Sequence, residues 1–464
     1  MLLHPAQVEQ DLEKVEAAYR GALLARKLDG WSDPDPNPLV AFRPRTTKER
    51  FEQVRLLPSE LPNKDDLLRW QAALTIERVT WHDRAVAEIA RHDPQHIIGQ
   101  HIIADMGSEP WSVSSLITEL MRASDASRRS RIAGEITRAS SEASSSAIRW
   151  ALRRHAAARE LGLESIEWLE APVQGIDICS VARFVLDATN DIALGSIEPG
   201  SDWGNSLWAG FAMDAQRGWP ASLTPRWFRT VFGNWKVLDG LRIESGPLCE
   251  ALCGASFARA LARFGAAVER AVAARSARAG TSLAGTFVTS FATAKRPFDM
   301  RQSSYGALFA SLLTSVPFLK RHLGLGAGDA LEHARSMGRS VLIATRLSAA
   351  QATVASASAS SADAFVDAHV SSSERALLAS VPSETAGVVP RYNPMAGSRL
   401  CGALHAAKFQ QELINQFDED WFDNPRGQEC LASLDVRERM VLTDGGARDG
   451  VLNLQKTLSE LLLR

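Results

Sequence analysis

Apolar residues recur every three to four positions along most of this chain, and strict alternation of apolar and polar residues is rare. Such spacing puts the apolar side chains on one face of an α-helix, whereas a half-buried strand requires alternation. The pattern predicts a helix over residues 1–28, closed by Gly30, and it resumes at about residue 65 in DDLLRWQAALTIERVTWHDRAVAEIARH. It continues in VSSLITELMRASDASRRSRIAGEITRA. The chain is therefore predicted to be all-α.

Proline- and glycine-rich segments interrupt the helical pattern. In WSDPDPNPLVAFRPR the prolines rule out a continuing helix, because each fixes the backbone and removes a hydrogen-bond donor. Between residues 195 and 250 glycine, proline and tryptophan cluster, and we expect the aromatic side chains to anchor an irregular segment against helices. Helical spacing returns at about 254–278 and 303–318, followed by SMGRSVLIATRLSAAQATVASASA and a C-terminal helical pair. GLGAGDA, at 324–330, is predicted to be a helix–helix turn.

Composition narrows the class of protein. The chain has 464 residues, of which 45% are hydrophobic and 23% charged, as in ordinary globular proteins. Its net charge of -2 gives no general electrostatic basis for binding nucleic acid or an anionic membrane. The N-terminus does not have the form of a signal peptide, and no run of about 18 uncharged apolar residues exists. Five scattered cysteines favour a reducing compartment, so we expect a cytoplasmic protein.

Three segments of the second half carry a resemblance to a known family: RHAAARELGLESIEWLEAP, FLKRHLGL and INQFDEDWFDNPRGQECLASL. They are similar to segments of the thimet-oligopeptidase-like zinc metallopeptidases, particularly the shorter bacterial members. The resemblance implies the helical fold of those peptidases, with a central cleft, over residues 146–464. Residues 1–145 show no such resemblance and are expected to be an N-terminal helical region, in one continuous helical body with the rest.

The resemblance places the family's zinc helix on SFARALARFGAAVERA. In the family this helix carries His-Glu-x-Gly-His, whose histidines bind zinc and whose glutamate activates the bound water. Here Ala262 and Ala266 stand at the histidine positions, Arg263 at the glutamate position, and only Gly265 is kept. Alanine has no lone pair to donate, and HExxH occurs nowhere in the chain. We therefore predict that no metal or other cofactor is bound and that zinc peptidase activity is lost.

The remaining catalytic positions of the family have changed as well. Tyr305 stands where the third zinc ligand would be, and Arg399 stands where a tyrosine would stabilise the oxyanion. A guanidinium group suits carboxylate, phosphate or sulfate, so the resemblance implies an anion-binding cleft. In this hypothesis Arg263 and Arg399 hold the anion, and Tyr305 or His405 transfers a proton. Three further residues are predicted to contact the substrate: Arg259, Tyr392 and Lys408.

Other interpretations of the same residues remain open. Arg263 could instead pair with an internal carboxylate, such as Asp214, Asp299 or Glu269, and hold a degenerate cleft shut. The basic residues of SRRSR (127–131) and those from Arg149 to Arg159 could contact an acidic partner, although a solvated helix face is the usual explanation.

Three functional hypotheses follow. In the first, the chain is a zinc-free enzyme or enzyme subunit that acts on an anionic small molecule, free or bound to a carrier protein. Elimination, ring closure or group transfer in bacterial specialised metabolism would suit it. In the second, it is a non-catalytic binding or scaffold protein that supports a partner subunit. In the third, it is a zinc hydrolase whose metal site has moved to the cluster of residues from His92 to His101.

Overall fold

The structure is a computed structural model that carries side chains. It describes residues 4–32, 36–61, 64–92, 111–169, 176–197, 202–211, 225–232, 235, 261, 264–266, 268, 300–357, 361–433 and 442–463.

Almost all regular structure in these ranges is helical, which confirms the predicted all-α class. The only β-type pairing among the described residues is an isolated bridge between Val388 and Arg391. The α-helices are α1 (Pro5–Asp29), α2 (Lys48–Arg55), α3 (Lys64–His92), α4 (Val113–Arg122), α5 (Ala126–Ala139), α6 (Ser141–Glu160), α7 (Ile178–Ala188), α8 (Asn190–Ser196), α9 (Trp203–Phe211), α10 (Pro225–Phe232), α11 (Met300–Ser311), α12 (Val316–Leu323), α13 (Ala327–Ala357), α14 (Ala362–Leu377), α15 (Ala396–Phe417), α16 (Pro425–Ser433) and α17 (Asp444–Leu462).

Local sequence signals set many of the helix ends. Gly30 closes α1 with a φ of 83°, a backbone conformation that glycine adopts without steric cost. The helical stretch expected from VSSLITELMR to GEITRA is divided into α4 and α5. The reason is Asp125, whose carboxylate accepts a hydrogen bond from the Arg128 N–H at 2.7 Å and so begins a new helix.

A similar division occurs in the helix expected over 303–318. Residues 312–314 tighten into a 3₁₀ turn, and Ser315 then caps α12 by accepting a hydrogen bond from the Phe318 N–H. Pro317 lies in the first turn of α12. Backbone N–H groups have no partner within the helix at this position, so the N–H that proline lacks costs no hydrogen bond. The predicted turn at 324–330 is confirmed at its start, because Gly324 ends α12 in the left-handed conformation and α13 begins at Ala327.

The helix α13 is the central element of the second half, and it packs against α7, α14 and α15. In the first half α3 packs along α6, and in the second half α11 packs against α15. The largest apolar cluster contains residues from before and after residue 145, from Ala90 and Val113 in the first half to Leu458 near the C-terminus. Both halves therefore contribute side chains to one core. The segment 195–250, expected to be irregular, contains two helices, α9 and α10, among its described residues, and Trp203 and Trp235 are buried there.

None of the described helices combines the length and apolar character that a membrane span requires.

Candidate functional site

Part of the predicted cleft lies outside the described residues: Arg259, Arg263, Asp214, Asp299 and Glu269. Gly265 is described, and its backbone lies directly against the Tyr305 carbonyl of α11. A side chain at Gly265 would also collide with Phe309, whose Cβ would be 2.9 Å away. Gly265 therefore allows a close approach between its helical segment and α11.

Tyr305 lies in a packed aromatic region. Its side chain is 1% exposed, and its hydroxyl donates a hydrogen bond to the Leu431 carbonyl at 3.0 Å. In the same hydrophobic cluster the rings of Phe232 and Phe264 stack at 4.7 Å, and that of Phe309 lies 5.5 Å from Phe264. Tyr305 thus contributes to the apolar core between α10, α11 and α16.

His405 of α15 is joined to α11 by a hydrogen bond. Its Nδ1 lies 2.8 Å from the Ser304 hydroxyl, and burial, with smaller effects from Lys408 and Arg301, lowers the pKa of His405 to about 4. The imidazole is therefore neutral at pH 7. A neutral imidazole beside a hydroxyl is the arrangement of a base and a nucleophile. Ser304, however, is only 1% exposed, so a substrate has no access to this hydroxyl, and the bond holds two crossing helices together.

Lys408 lies one turn from His405 on α15, and its Nζ is 3.8 Å from a carboxylate oxygen of Glu412. The other predicted residues lie apart from this pair. Arg399 is exposed at the start of α15. Tyr392 is buried and its ring lies edge-on to that of Trp150, with centroids 5.2 Å apart. The structure thus places Tyr392 at a different site, between the first and second halves of the chain.

That site is a small cavity of about 10 Å³ where α3, α6 and the segment 385–392 meet, here called the Arg91 cavity. The segment comes close to α6 because Gly387 has a φ of 72° and no side chain, and an added Cβ would lie 2.9 Å from the Ala147 Cβ. The polar or aromatic residues that line the cavity are Glu88, Arg91, Trp150, Arg391 and Tyr392.

Two hydrogen-bond donors of the Arg91 cavity are buried without an acceptor: Nη1 of Arg91 and Nε1 of Trp150. Burial lowers the pKa of Arg91 to about 10, so the guanidinium is still charged at pH 7. Burying a charge or an N–H without a partner is costly, and native proteins rarely leave such groups unsatisfied. Both donors line this cavity, where an acceptor would lower the free energy of burying them.

Among the described residues that line the cavity, the one carboxylate is already engaged. Glu88 is buried and forms an ion pair with Arg391, whose side chain is 47% exposed. Burial, followed by the positive charges of Arg84 and Arg399, lowers the pKa of Arg391 to about 10. Arg399, predicted from sequence to hold an anion, thus adds positive charge near this cavity.

Behind the cavity lies a buried polar network. Arg154, which is fully buried, pairs with Glu77, and Arg84 binds the same carboxylate at 3.2 Å. Tyr19 donates a hydrogen bond to Glu77, and burial raises the pKa of Tyr19, so its hydroxyl keeps its proton. Arg84 also lies over the Trp150 ring, 5.3 Å from its centroid, which connects the network to the cavity.

The expectation that the arginines of α6 form a solvated face is wrong for Arg154. Its position follows from a signal in the sequence: Ala147, Trp150, Ala151 and Ala158 share one helical face with it, and all four are buried. A charged residue on an apolar face indicates a buried partner. That partner, Glu77, likewise lies in an apolar stretch of α3.

Comparison of the chain with protein-family models, with curated proteins and with solved structures finds no match. Within the described ranges, no three His, Cys, Asp or Glu side chains are grouped in a way that could hold a metal ion. His92 ends α3, where its Nδ1 lies 2.8 Å from the Glu88 carbonyl, and the other residues of the alternative zinc site lie outside the described part of the chain.

Proposed function

We propose that this protein binds an anion, or the anionic group of a ligand, in the Arg91 cavity. The observation that carries the proposal is the pair of buried donors without an acceptor, Arg91 Nη1 and Trp150 Nε1, which line one cavity. Both are N–H groups, and anions accept hydrogen bonds from several N–H donors. A charged partner also strengthens the bond to the guanidinium.

The charges around the cavity favour the same ligand. Arg84, Arg91, Arg154 and Arg391 face only two carboxylates of the described network, Glu77 and Glu88. Two of the four positive charges are therefore uncompensated within it. An anion at Arg91 would lower the electrostatic free energy of this group, because charges in a buried site are weakly screened by solvent.

The test is the stabilisation that a ligand gives to the folded protein. We would measure the thermal midpoint of the purified chain at constant ionic strength in gluconate, exchanged stepwise for chloride, acetate, phosphate or sulfate. An anion that binds the folded state raises the midpoint in a saturable way. Arg91→Met and Trp150→Phe should each weaken this response at least about tenfold in apparent affinity, the loss of one charged or neutral hydrogen bond.

Arg149→Met is the matched control, since Arg149 lies on α6 with a side chain that is 60% exposed and does not line the cavity. It should leave the response unchanged. If no anion stabilises the wild-type protein, or if Arg91→Met responds like wild type, the proposal is wrong.

The wider hypothesis of a zinc-free enzyme that acts on an anionic substrate, free or carrier-bound, includes this binding step. Its support is the resemblance of three segments to the metallopeptidases together with the cationic surplus of the Arg91 cavity. A chemical step would be shown by turnover of an anionic substrate that Arg91→Met abolishes without lowering the thermal midpoint.

A further inference from the structure

We infer that a basic surface formed by the 3₁₀ helix Val40–Arg45 together with α2 and α3 binds an acidic segment of a partner protein. The surface, here called the arginine surface, consists of Arg43, Arg45, Arg50 and Arg78. It is separate from the Arg91 cavity, because none of the four lines the cavity and Arg78 lies about 20 Å from Arg91 along the axis of α3. The inference therefore goes beyond the proposed function and does not depend on it.

Hydrogen bonds to α3 hold the 3₁₀ helix where its arginines meet Arg78. The Nε of Arg78 donates to the Thr46 carbonyl at 2.9 Å, and the Asn37 amide donates to the Arg78 carbonyl at 2.8 Å. These two bonds anchor the chain on both sides of the 3₁₀ helix. Arg43 is consequently close enough for its charge to act on Arg78: burial, and then this positive charge, lower the pKa of Arg78. The fold thus places like charges next to each other.

Among the described residues, one carboxylate pairs with the arginine surface. It belongs to Asp11 of α1, whose oxygens lie 3.0 Å from Nη2 of Arg50 and 3.4 Å from Nε of Arg45. Arg43 and Arg78 form no ion pair in the described part of the chain. Four guanidinium groups thus share a single carboxylate, and like charges held together repel one another. Carboxylates of a partner would offset this repulsion.

The glutamates of α2 do not compensate this charge, because other cations face them. Glu52 lies 3.4 Å from Nη1 of Arg55. Glu49 is exposed and follows Lys48, whose opposite charge acts on it. The positive charge of the arginine surface therefore remains.

The surroundings of Arg43 favour a protein as the partner. Arg43 is exposed, and Val40, which is 63% exposed, shares its face because side chains three residues apart are aligned in a 3₁₀ helix. The guanidinium of Arg45 lies over the ring of the half-buried Phe42, 6.0 Å from its centroid. Arginine beside aromatic and apolar groups is typical of protein interfaces, and a guanidinium fork matches the two oxygens of a carboxylate. The net charge of -2 disfavours a long polyphosphate such as RNA.

The test is the binding of a fluorescent oligo-glutamate peptide to the full chain, followed by fluorescence anisotropy at low and at high salt. We expect saturable binding that salt weakens, because the charges are exposed to solvent. Arg43→Gln should weaken binding about threefold and Arg43→Glu at least about tenfold, as expected when one exposed ion pair is lost or reversed. The Arg43 side chain makes no hydrogen bond to the described residues, so both variants should keep the thermal midpoint of the wild type.

Arg149→Glu is the matched control, because Arg149 is 60% exposed on α6 and its replacement makes the same charge change outside the arginine surface. It should leave the affinity for the peptide unchanged. Absence of peptide binding, or equal weakening by Arg149→Glu and Arg43→Glu, would overturn the inference.

Two further ligands separate the inference from its alternatives: an oligouridylate of the same length and vesicles that contain phosphatidylserine. Tighter binding of the RNA or of the vesicles, lost in Arg43→Glu, would assign the surface to nucleic acid or to a membrane and overturn the inference. Arg91→Met should bind the peptide as the wild type does. Failure of this inference and failure of anion binding in the Arg91 cavity are therefore distinguishable.

Discussion

In the protein interior the guanidinium of Arg346 donates a hydrogen bond to the hydroxyl of Thr189 at 2.8 Å. Here α13 passes the carboxyl ends of α7 and α14. Arg346 is 1% exposed. It donates to the Leu186 carbonyl of α7 at 2.9 Å and to the Ala376 carbonyl of α14 at 3.0 Å. Burial lowers the pKa of Arg346 to about 10, so it remains charged at pH 7. Helix carboxyl ends carry partial negative charge, and two of them stabilise this buried cation.

Replacing Arg346 with methionine should therefore lower the free energy of unfolding by about 2–4 kcal/mol. Methionine fills similar space but leaves buried carbonyl groups of α7 and α14 without donors, at about 1–3 kcal/mol for each. Urea titration followed by circular dichroism measures the change. Arg183→Met is the control, because Arg183 is exposed on α7, and it should change stability by less than about 0.5 kcal/mol. Equal effects of the two substitutions would contradict this role of Arg346.

The buried pair of Glu77 and Arg154 gives a second prediction. Glu77→Gln leaves two arginines, Arg84 and Arg154, beside a neutral side chain, and it should destabilise the protein by about 3–5 kcal/mol. The double variant Glu77→Gln/Arg154→Met should recover much of this loss, because it also removes the buried charge. Glu160→Gln, which breaks an exposed pair with Arg153, should cost less than about 1 kcal/mol. A double variant no more stable than Glu77→Gln would argue against charge as the cause.

The crossing of α11 and α15 depends on Gly402. A Cβ at this position would lie 2.6 Å from the Ser303 Cβ and 2.9 Å from the Met300 carbonyl oxygen. Gly402→Ala should therefore destabilise the protein by about 1–3 kcal/mol, because the helices must move apart. Gly134→Ala in α5, where an added Cβ meets nothing within 4 Å, should stabilise by about 0.5–1 kcal/mol through helix propensity. Differential scanning calorimetry measures the thermal midpoint of both variants. A shift of the same sign in both would refute the close-contact role of Gly402.

The lowered pKa values of three histidines predict that the protein loses stability in acid. Burial is the main cause that lowers the pKa of His155, His369 and His405 to about 4, whereas the ordinary value is 6.5. Between these values the unfolded chain binds more protons than the folded one. Stability is therefore greatest above about pH 6.5 and falls as the pH drops towards 4, by about 1.4 kcal/mol per pH unit for each fully titrating histidine.

His369 provides the sharpest check of this pH dependence. Its Nε2 lies 3.2 Å from the Thr385 hydroxyl in the interior, where no solvent stabilises a positive charge. His369→Gln should reduce the slope of unfolding free energy against pH between 6 and 4.5, measured by urea titration at each pH. His82→Gln, at an exposed position of α3, should keep the wild-type slope. If His369→Gln keeps the wild-type slope of unfolding free energy against pH, His369 does not contribute to the loss of stability in acid.

Local patterns predicted much of the fold. The spacing of apolar residues gave the extents of α1 and α3 to within a few residues, and Gly30 and Gly324 end their helices as expected of glycine. The divisions between α4 and α5 and between α11 and α12 were missed, although Asp125 and Ser315 are ordinary capping residues. Periodicity alone does not show such breaks when the apolar spacing continues across them.

The sequence by itself thus determined that the protein is helical and which face of each helix is apolar. Only the tertiary structure decided which carboxylates the buried arginines pair with and where the cationic cavity lies. Glu88 and Arg391 are 303 positions apart, and Trp150 faces them from a third segment. A helical period fixes the direction of a side chain, but the energy of a buried charge depends on the groups that distant segments bring to it.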